Sequence, residues 1–150
     1  PLPINRETTV RAQAWILHTQ IAAELEAEAK ADVVCCDRAV LDNFCYLKRS
    51  AAGDPHVEVL EELVKAWTPT YHLLFRVPIV EGPRFDGVRE TDVAFQHEID
   101  RLIAATLREW RVPHVALDPA DRARWAELVV EILLPHLHPQ ELLFPENGPA

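Results

Sequence analysis

A short apolar run that ends on an acid does most to limit how this chain can fold. Residues 33–36, with the sequence VVCC, are too few for a helix and begin with two β-branched valines. This pattern favours a buried strand of a parallel sheet. Asp37 follows at the carboxyl end of the predicted strand, where a carboxylate can support a magnesium ion beside a phosphate group.

The size and charge of the chain limit its class of partner. With 150 residues, of which 49% are apolar, we expect one domain with a substantial core. The net charge of -9 argues against a protein that binds the phosphate backbone of nucleic acid. No apolar run approaches the ~20 residues that cross a bilayer, so we expect no membrane partner.

Three cysteines form neither a disulfide framework nor a C-x-x-C metal motif, and this indicates a reducing, cytoplasmic setting. We expect Cys35 and Cys36 to be buried as small apolar residues. The acidic stretch from Glu24 to Glu28 should be solvated, and the four tryptophans should lie in the core.

Apolar spacing predicts a helix over residues 6–30, with Val10, Ala14, Leu17, Ile21 and Leu25 on its buried stripe. The remaining elements alternate helices with strands. The predicted helices cover residues 41–48, 54–67, where Asp54-Pro55 is the cap, 95–110, and 118–134, where Pro135 stops the last helix. The predicted strands cover residues 71–77 and 114–117. The last helix should bury a stripe of Trp125, Leu128, Val129, Ile132 and Leu133.

Helices that alternate with three short strands predict an α/β domain over residues 1–134, a three-layer parallel sheet with flanking helices. Residues 135–150 are rich in proline and read as a tail. The Pro- and Gly-rich segment 79–91 has no periodicity, which is typical of a functional loop or lid, and it carries Arg84 and Arg89.

Three segments carry a resemblance to a known family: CDRAVLDN at 36–43, the strand at 71–77, and FDGVR at 85–89. Together they make the chain similar to ATP-binding AAA domain proteins related to nicotinamide riboside kinases and other P-loop kinases. The resemblance covers most of residues 6–134. It implies a P-loop kinase-like fold that uses ATP and Mg2+.

The resemblance also implies roles for individual residues. Asp37 would support Mg2+ or take a proton from an acceptor hydroxyl, and Arg38 would lie beside the transferred phosphate. The remaining positions are Arg84 and Arg89 as catalytic lid arginines, Asp42, Asn43 and Asp86 as substrate-binding residues, and Asp118 with Pro119 beside the adenine of the cofactor.

The sequence departs from that family in one large respect, because it has no G-x-x-x-x-G-K-[ST] phosphate loop. Without the strand that precedes such a loop, the strands at 33–36 and 71–77 would flank a gap in the sheet. We therefore expect a further ~30 to 50 residues, about the span of a βα unit, ahead of this sequence.

Three functions remain open at this point. The first is phosphoryl transfer from ATP to a small, nucleoside-like acceptor. The second is a regulatory ATPase whose lid is read by a partner protein. The third, if the sequence is complete, is an interaction module without nucleotide chemistry. The sequence does not choose among them, and it gives no oligomeric state.

Overall fold

The computed structural model describes residues 9–80 and 93–137. They form helices and a small parallel sheet. The helices are α1 (Val10–Glu28), α2 (Val40–Ser50), α3 (Pro55–Trp67), α4 (Val93–Glu109) and α5 (Trp125–Leu137), with 3-10 turns at Thr68–Thr70 and Pro119–Arg124 and strands β1 (Phe75–Arg76) and β2 (Val115–Ala116).

Side-chain caps begin α1 and α3, and the sequence predicts the second of these caps. Thr9 accepts a hydrogen bond from the Ala12 amide at the start of α1. Asp54 accepts one from the His56 amide, and Pro55 occupies the first position of α3, where its missing N–H costs nothing. The predicted Asp54-Pro55 cap is therefore confirmed.

The described residues divide into two compact units. The first comprises 9–74, 79–80 and 93–113, and the second comprises 75–78 and 114–137. In the first unit, α2 lies at the centre and contacts α1, α3 and α4. Its apolar side chains, with Phe44 at the middle, pack against Leu17, Val64 and Leu107 from those three helices.

The second unit contains the sheet. Strands β1 and β2 pair in parallel, with Phe75 opposite Val115, and the Leu117 amide donates to the Arg76 carbonyl at 3.0 Å. The two strands confirm the predicted elements at 71–77 and 114–117, although each is shorter than expected. On α5 the predicted apolar stripe is half-buried and none of its residues is fully buried.

The predicted buried strand at residues 33–36 is wrong. The segment has no regular secondary structure, and Val33, Cys35 and Cys36 are exposed. A strand needs a neighbour for its N–H and C=O groups, and within residues 9–80 and 93–137 the only strand pairing is between β1 and β2. The described part therefore shows a two-stranded parallel sheet, while the predicted three-layer arrangement stays a prediction.

Three smaller expectations are also wrong. Leu25 and Trp15 are 51% and 59% exposed, because on α1 the buried face runs through Gln13, Leu17 and Glu24. Pro135 does not stop α5, which continues to Leu137. A proline disturbs only the turn before it, so a helix that ends two residues later can accommodate one.

The packing of α1 predicts unequal effects of two leucine substitutions. Leu17→Ala should lower the free energy of unfolding by about 2 to 5 kcal/mol, because Leu17 is fully buried. Leu25→Ala on the same helix should change it by about 0.5 kcal/mol or less, because that side chain is exposed. Urea unfolding of both variants measures the difference. A larger loss from Leu25→Ala would contradict the orientation of α1.

Candidate functional site

The segment between α1 and α2 carries the two residues on which the predicted chemistry depends. Asp37 and Arg38 are both exposed. Arg38 has a φ of 79°, a left-handed conformation that costs a residue with a Cβ roughly 1 to 2 kcal/mol. We refer to residues 36–39 as the Arg38 bend. Something must hold this bend in place, because the conformation is unfavourable by itself.

Contacts at both ends of Arg38 hold it. The Gln20 side-chain amide on α1 donates a hydrogen bond to the Arg38 carbonyl at 2.8 Å. The Arg38 guanidinium carbon lies 5.5 Å from the centre of the Tyr46 ring on α2, within the range of a cation–π interaction. Arg38 is therefore fixed to two helices while its side chain stays exposed.

A buried carboxylate lies behind the bend. Glu24 is only 6% exposed, and it accepts hydrogen bonds from Gln20 at 2.8 Å, from the Trp67 indole at 2.8 Å and from the Tyr71 hydroxyl at 2.9 Å. A buried charge is tolerated only when it is well paired. The prediction that this part of the acidic stretch is solvated is thus wrong for Glu24.

The Tyr71 hydroxyl connects Glu24 to the start of α2. It donates to Glu24 and accepts a hydrogen bond from the Val40 amide at 2.9 Å. Val40 is the first residue of α2, whose opening N–H groups have no partner within the helix. Burial and the nearby Glu24 charge raise the pKa of Tyr71, so the hydroxyl keeps the proton that it donates to Glu24.

Asp42 and Asn43 lie on the first turn of α2, and both bind other parts of the protein. Asp42 accepts a hydrogen bond from the Ala39 amide at 3.1 Å, as the third residue of a helix does in a capping box. Burial raises the pKa of Asp42, against the opposing effects of the Ala39 hydrogen bond and the Arg38 charge. Asn43 is buried and donates to the Gln20 side-chain oxygen.

These contacts define the Glu24 network, which consists of Gln20, Glu24, Asn43, Trp67 and Tyr71. It joins α1, α2 and the end of α3 around the Arg38 bend. Sequence reasoning missed Gln20, Glu24 and Tyr71 as parts of the site. The helical spacing of Leu17, Gln20 and Glu24 places them on one face of α1, but no sequence signal shows that Trp67 and Tyr71 meet that face.

The adjacent cysteines differ from expectation as well. Cys35 and Cys36 are exposed rather than buried, and Cys45 on α2 is buried. Partial shielding from water, followed by the charge of Glu24, raises the pKa of the Cys36 thiol. Burial raises the pKa of Cys45 to about 11. Neither thiol is therefore activated as a nucleophile at neutral pH.

The other predicted site residues are located elsewhere. Arg84, Asp86 and Arg89 lie outside the described residues. Asp118 and Pro119 belong to the second unit, where the Asp118 carboxylate accepts a hydrogen bond from the Ala120 amide at 2.8 Å and so caps a 3-10 turn. The first unit thus brings together Asp37, Arg38, Asp42 and Asn43 and no other member of the predicted set among the residues described.

The described residues contain neither a cluster of metal-binding side chains nor a helix that could cross a membrane. Across residues 9–80 and 93–137, no three His, Cys, Asp or Glu side chains converge as a metal site would require. Within the same ranges, every helix is too short or too polar to cross a bilayer. A magnesium ion carried in with a nucleotide needs only one or two carboxylates, because phosphates and water supply its other ligands.

Comparison with known proteins gives one match. A family model described as AAA domain matches residues 2–125, which is most of the chain. No curated protein and no solved structure matches it. The matched range includes the Arg38 bend and the whole Glu24 network.

The position of the Tyr71 hydroxyl predicts a loss of stability in Tyr71→Phe. The free energy of unfolding should fall by about 1 to 3 kcal/mol, since the Val40 amide and Glu24 both lose a partner away from bulk water. The matched control is Tyr46→Phe, which removes the hydroxyl of the only other tyrosine, a residue outside the network. Urea unfolding compares the two, and equal losses would contradict the bridging role.

The raised pKa of Tyr71 predicts how that loss depends on pH. Because the folded protein holds the proton more tightly than the unfolded chain, the contribution of Tyr71 is complete below about pH 10, the ordinary tyrosine pKa, and is lost above it. The difference in stability between wild type and Tyr71→Phe should therefore stay constant below about pH 10 and narrow as the pH rises above that value. A difference that widens over this range would contradict the assignment.

Proposed function

Because the chain belongs to the AAA domain family, a group of P-loop NTPases, we propose that it binds ATP with Mg2+ at the Arg38 bend and transfers a phosphoryl group to a small, nucleoside-like acceptor. The observation that carries this proposal is the pairing of an exposed carboxylate with an exposed guanidinium, Asp37 and Arg38, on a bend that a hydrogen bond from Gln20 holds. An accessible carboxylate next to an accessible guanidinium can bind a metal ion and the phosphate group beside it.

The residues of the bend fit Mg-ATP chemically. The Asp37 carboxylate provides the oxygen ligand that Mg2+ prefers, directly or through water. The Arg38 guanidinium is planar, always charged, and matches the geometry of phosphate oxygens. The sequence lacks the phosphate loop G-x-x-x-x-G-K-[ST], so the part of the site that this chain supplies is the acid and the arginine.

The proposed mechanism divides the work among named side chains. Mg-ATP supplies the phosphoryl group. Asp37 takes the proton from the acceptor hydroxyl or orients it, and Arg38 offsets the negative charge that develops on the phosphate oxygens. We assign the remaining roles from the family resemblance alone. They are Arg84 and Arg89 as lid arginines, Asp86 as a substrate contact, and Asp118 with Pro119 beside the adenine.

A second function is favoured by one observation on α2. Asn43 and Asp42 were expected to contact an acceptor, but each binds another part of the protein, Gln20 and the Ala39 amide respectively. Side chains engaged in this way favour a regulatory ATPase, in which water replaces the acceptor and the nucleotide state is the output. The three free cysteines support a reducing, cytoplasmic setting for either function.

Mg-ATP binding should depend on both residues of the bend. Asp37→Asn and Arg38→Ala should each weaken binding by about tenfold to a hundredfold, the equivalent of a charged hydrogen bond. Isothermal titration calorimetry of the purified protein measures the effect. The control is Asp32→Asn, which removes the same charge from an exposed position in the same segment and should leave the affinity unchanged.

Two outcomes would contradict this proposal. The first is that wild-type protein does not bind Mg-ATP, which would show that the bend is not a nucleotide site. The second is an equal loss of affinity in Asp32→Asn, which would show that the effect comes from the charge of the segment and not from Asp37. Phosphorus NMR of the products then separates the two functions. A phosphorylated nucleoside supports transfer to an acceptor, whereas inorganic phosphate alone, formed equally with and without nucleosides, supports the regulatory ATPase.

A further inference from the structure

The side chain of Gln20 makes three hydrogen bonds to three different parts of the first unit. Its Nε2 atom donates to Glu24 Oε1 at 2.8 Å and to the Arg38 carbonyl at 2.8 Å. Its Oε1 atom accepts a hydrogen bond from Asn43 on α2. Both hydrogens of the amide nitrogen are therefore used, one within α1 and one on the Arg38 bend.

The charge of Glu24 determines which way this amide faces. A carboxylate only accepts hydrogen bonds, so the amide nitrogen of Gln20 must point toward Glu24 rather than the amide oxygen. The second hydrogen then reaches the Arg38 carbonyl, which also only accepts. The oxygen is left to face the side-chain nitrogen of Asn43. If the amide were rotated by half a turn, its oxygen would face the oxygen of Glu24 and the carbonyl oxygen of Arg38.

Arg38 needs a partner of this kind because of its backbone conformation. Its φ of 79° is unfavourable for a residue with a Cβ, and it persists where surrounding contacts over-determine it. The Gln20 bond holds the carbonyl end of the residue, and the Tyr46 ring, 5.5 Å away, holds the guanidinium end. Loss of the carbonyl contact frees the residue to leave the left-handed region and to carry its side chain with it.

We propose that Gln20 is a positioning residue, which fixes the backbone of Arg38 so that the guanidinium meets the nucleotide phosphates. The proposal rests on the proposed function for its consequence in binding. Gln20 acts through Arg38 and does not itself contact the nucleotide. The same amide donates to Glu24 and to the Arg38 carbonyl, so hydrogen bonds connect the buried carboxylate to the residue that carries the exposed guanidinium.

Limited trypsin digestion tests the positioning without any nucleotide. Trypsin cleaves after Arg38, and its reference site is Lys30, an exposed residue that starts the same segment outside the network. In Gln20→Met, cleavage at Arg38 relative to Lys30 should rise by about threefold to tenfold, the equivalent of one hydrogen bond. Mass spectrometry follows both products. Digestion is carried out far below the unfolding midpoint of each variant, as measured by urea unfolding, so that cleavage through global unfolding does not contribute to the ratio.

The matched control is Gln13→Met, because Gln13 is a buried glutamine on the same helix, seven residues away. Under the same conditions it should leave the ratio of cleavage at Arg38 to cleavage at Lys30 unchanged, because the hydrogen bond to the Arg38 carbonyl comes from Gln20. A ratio that stays at the wild-type value in Gln20→Met would overturn the proposal. An equal rise in both variants would overturn it as well, since the effect would then belong to α1 in general.

A double-mutant cycle with Mg-ATP tests the consequence for binding. Gln20→Met alone should weaken binding by about threefold to tenfold. Added to Arg38→Ala, it should have no further effect, because the side chain that it positions is gone. An equal loss of Mg-ATP affinity from Gln20→Met in wild-type protein and in Arg38→Ala would show that Gln20 does not act through Arg38. If wild-type protein fails to bind Mg-ATP, the proposed function and this consequence both fail, while the trypsin ratio still decides whether Gln20 holds the bend.

Discussion

The rest of the first unit depends on the hydrogen bonds that the buried carboxylate of Glu24 accepts. A charge taken out of water has to be compensated by hydrogen bonds, and here the donors come from Gln20, Trp67 and Tyr71. Those three residues belong to α1, α3 and the segment after it. Satisfying one buried acid therefore fixes how three parts of the chain meet, and through Tyr71 it also fixes the Val40 amide at the start of α2.

The proposed site follows from that arrangement. Helix α2 is the central helix of the unit, and its first turn is held by the side chains of Tyr71 and Gln20 from other elements, so the bend that precedes it has a defined position. Arg38 adopts a left-handed backbone in that bend and presents its side chain to solvent next to Asp37. The exposed pair is thus placed by buried contacts, as preorganised binding of a charged ligand requires.

Sequence patterns predicted the parts of the fold that local chemistry decides. The Asp54 cap, the helical spacing around Phe44 and the parallel strands at Phe75 and Val115 were all readable. Residues 33–36 were not, because an apolar β-branched run becomes a strand only when another strand lies beside it. Glu24 was not readable either. A glutamate on a helix is normally solvated, and only the arrival of Trp67 and Tyr71 from distant sequence makes it buried. The roles given to Asp37 and Arg38 stay predictions.

Amide hydrogen exchange across residues 31–40, with and without Mg-ATP, tests the central claim most directly. The account predicts that without nucleotide the Val40 amide exchanges slowly, because Val40 is fully buried and its amide donates to the Tyr71 hydroxyl. On addition of Mg-ATP, the amides of Asp37 and Arg38 should become protected while that of Asp32 should not. A Val40 amide that exchanges as fast as that of Asp32, together with no change at the bend on adding Mg-ATP, would contradict both the network and the nucleotide site that it holds.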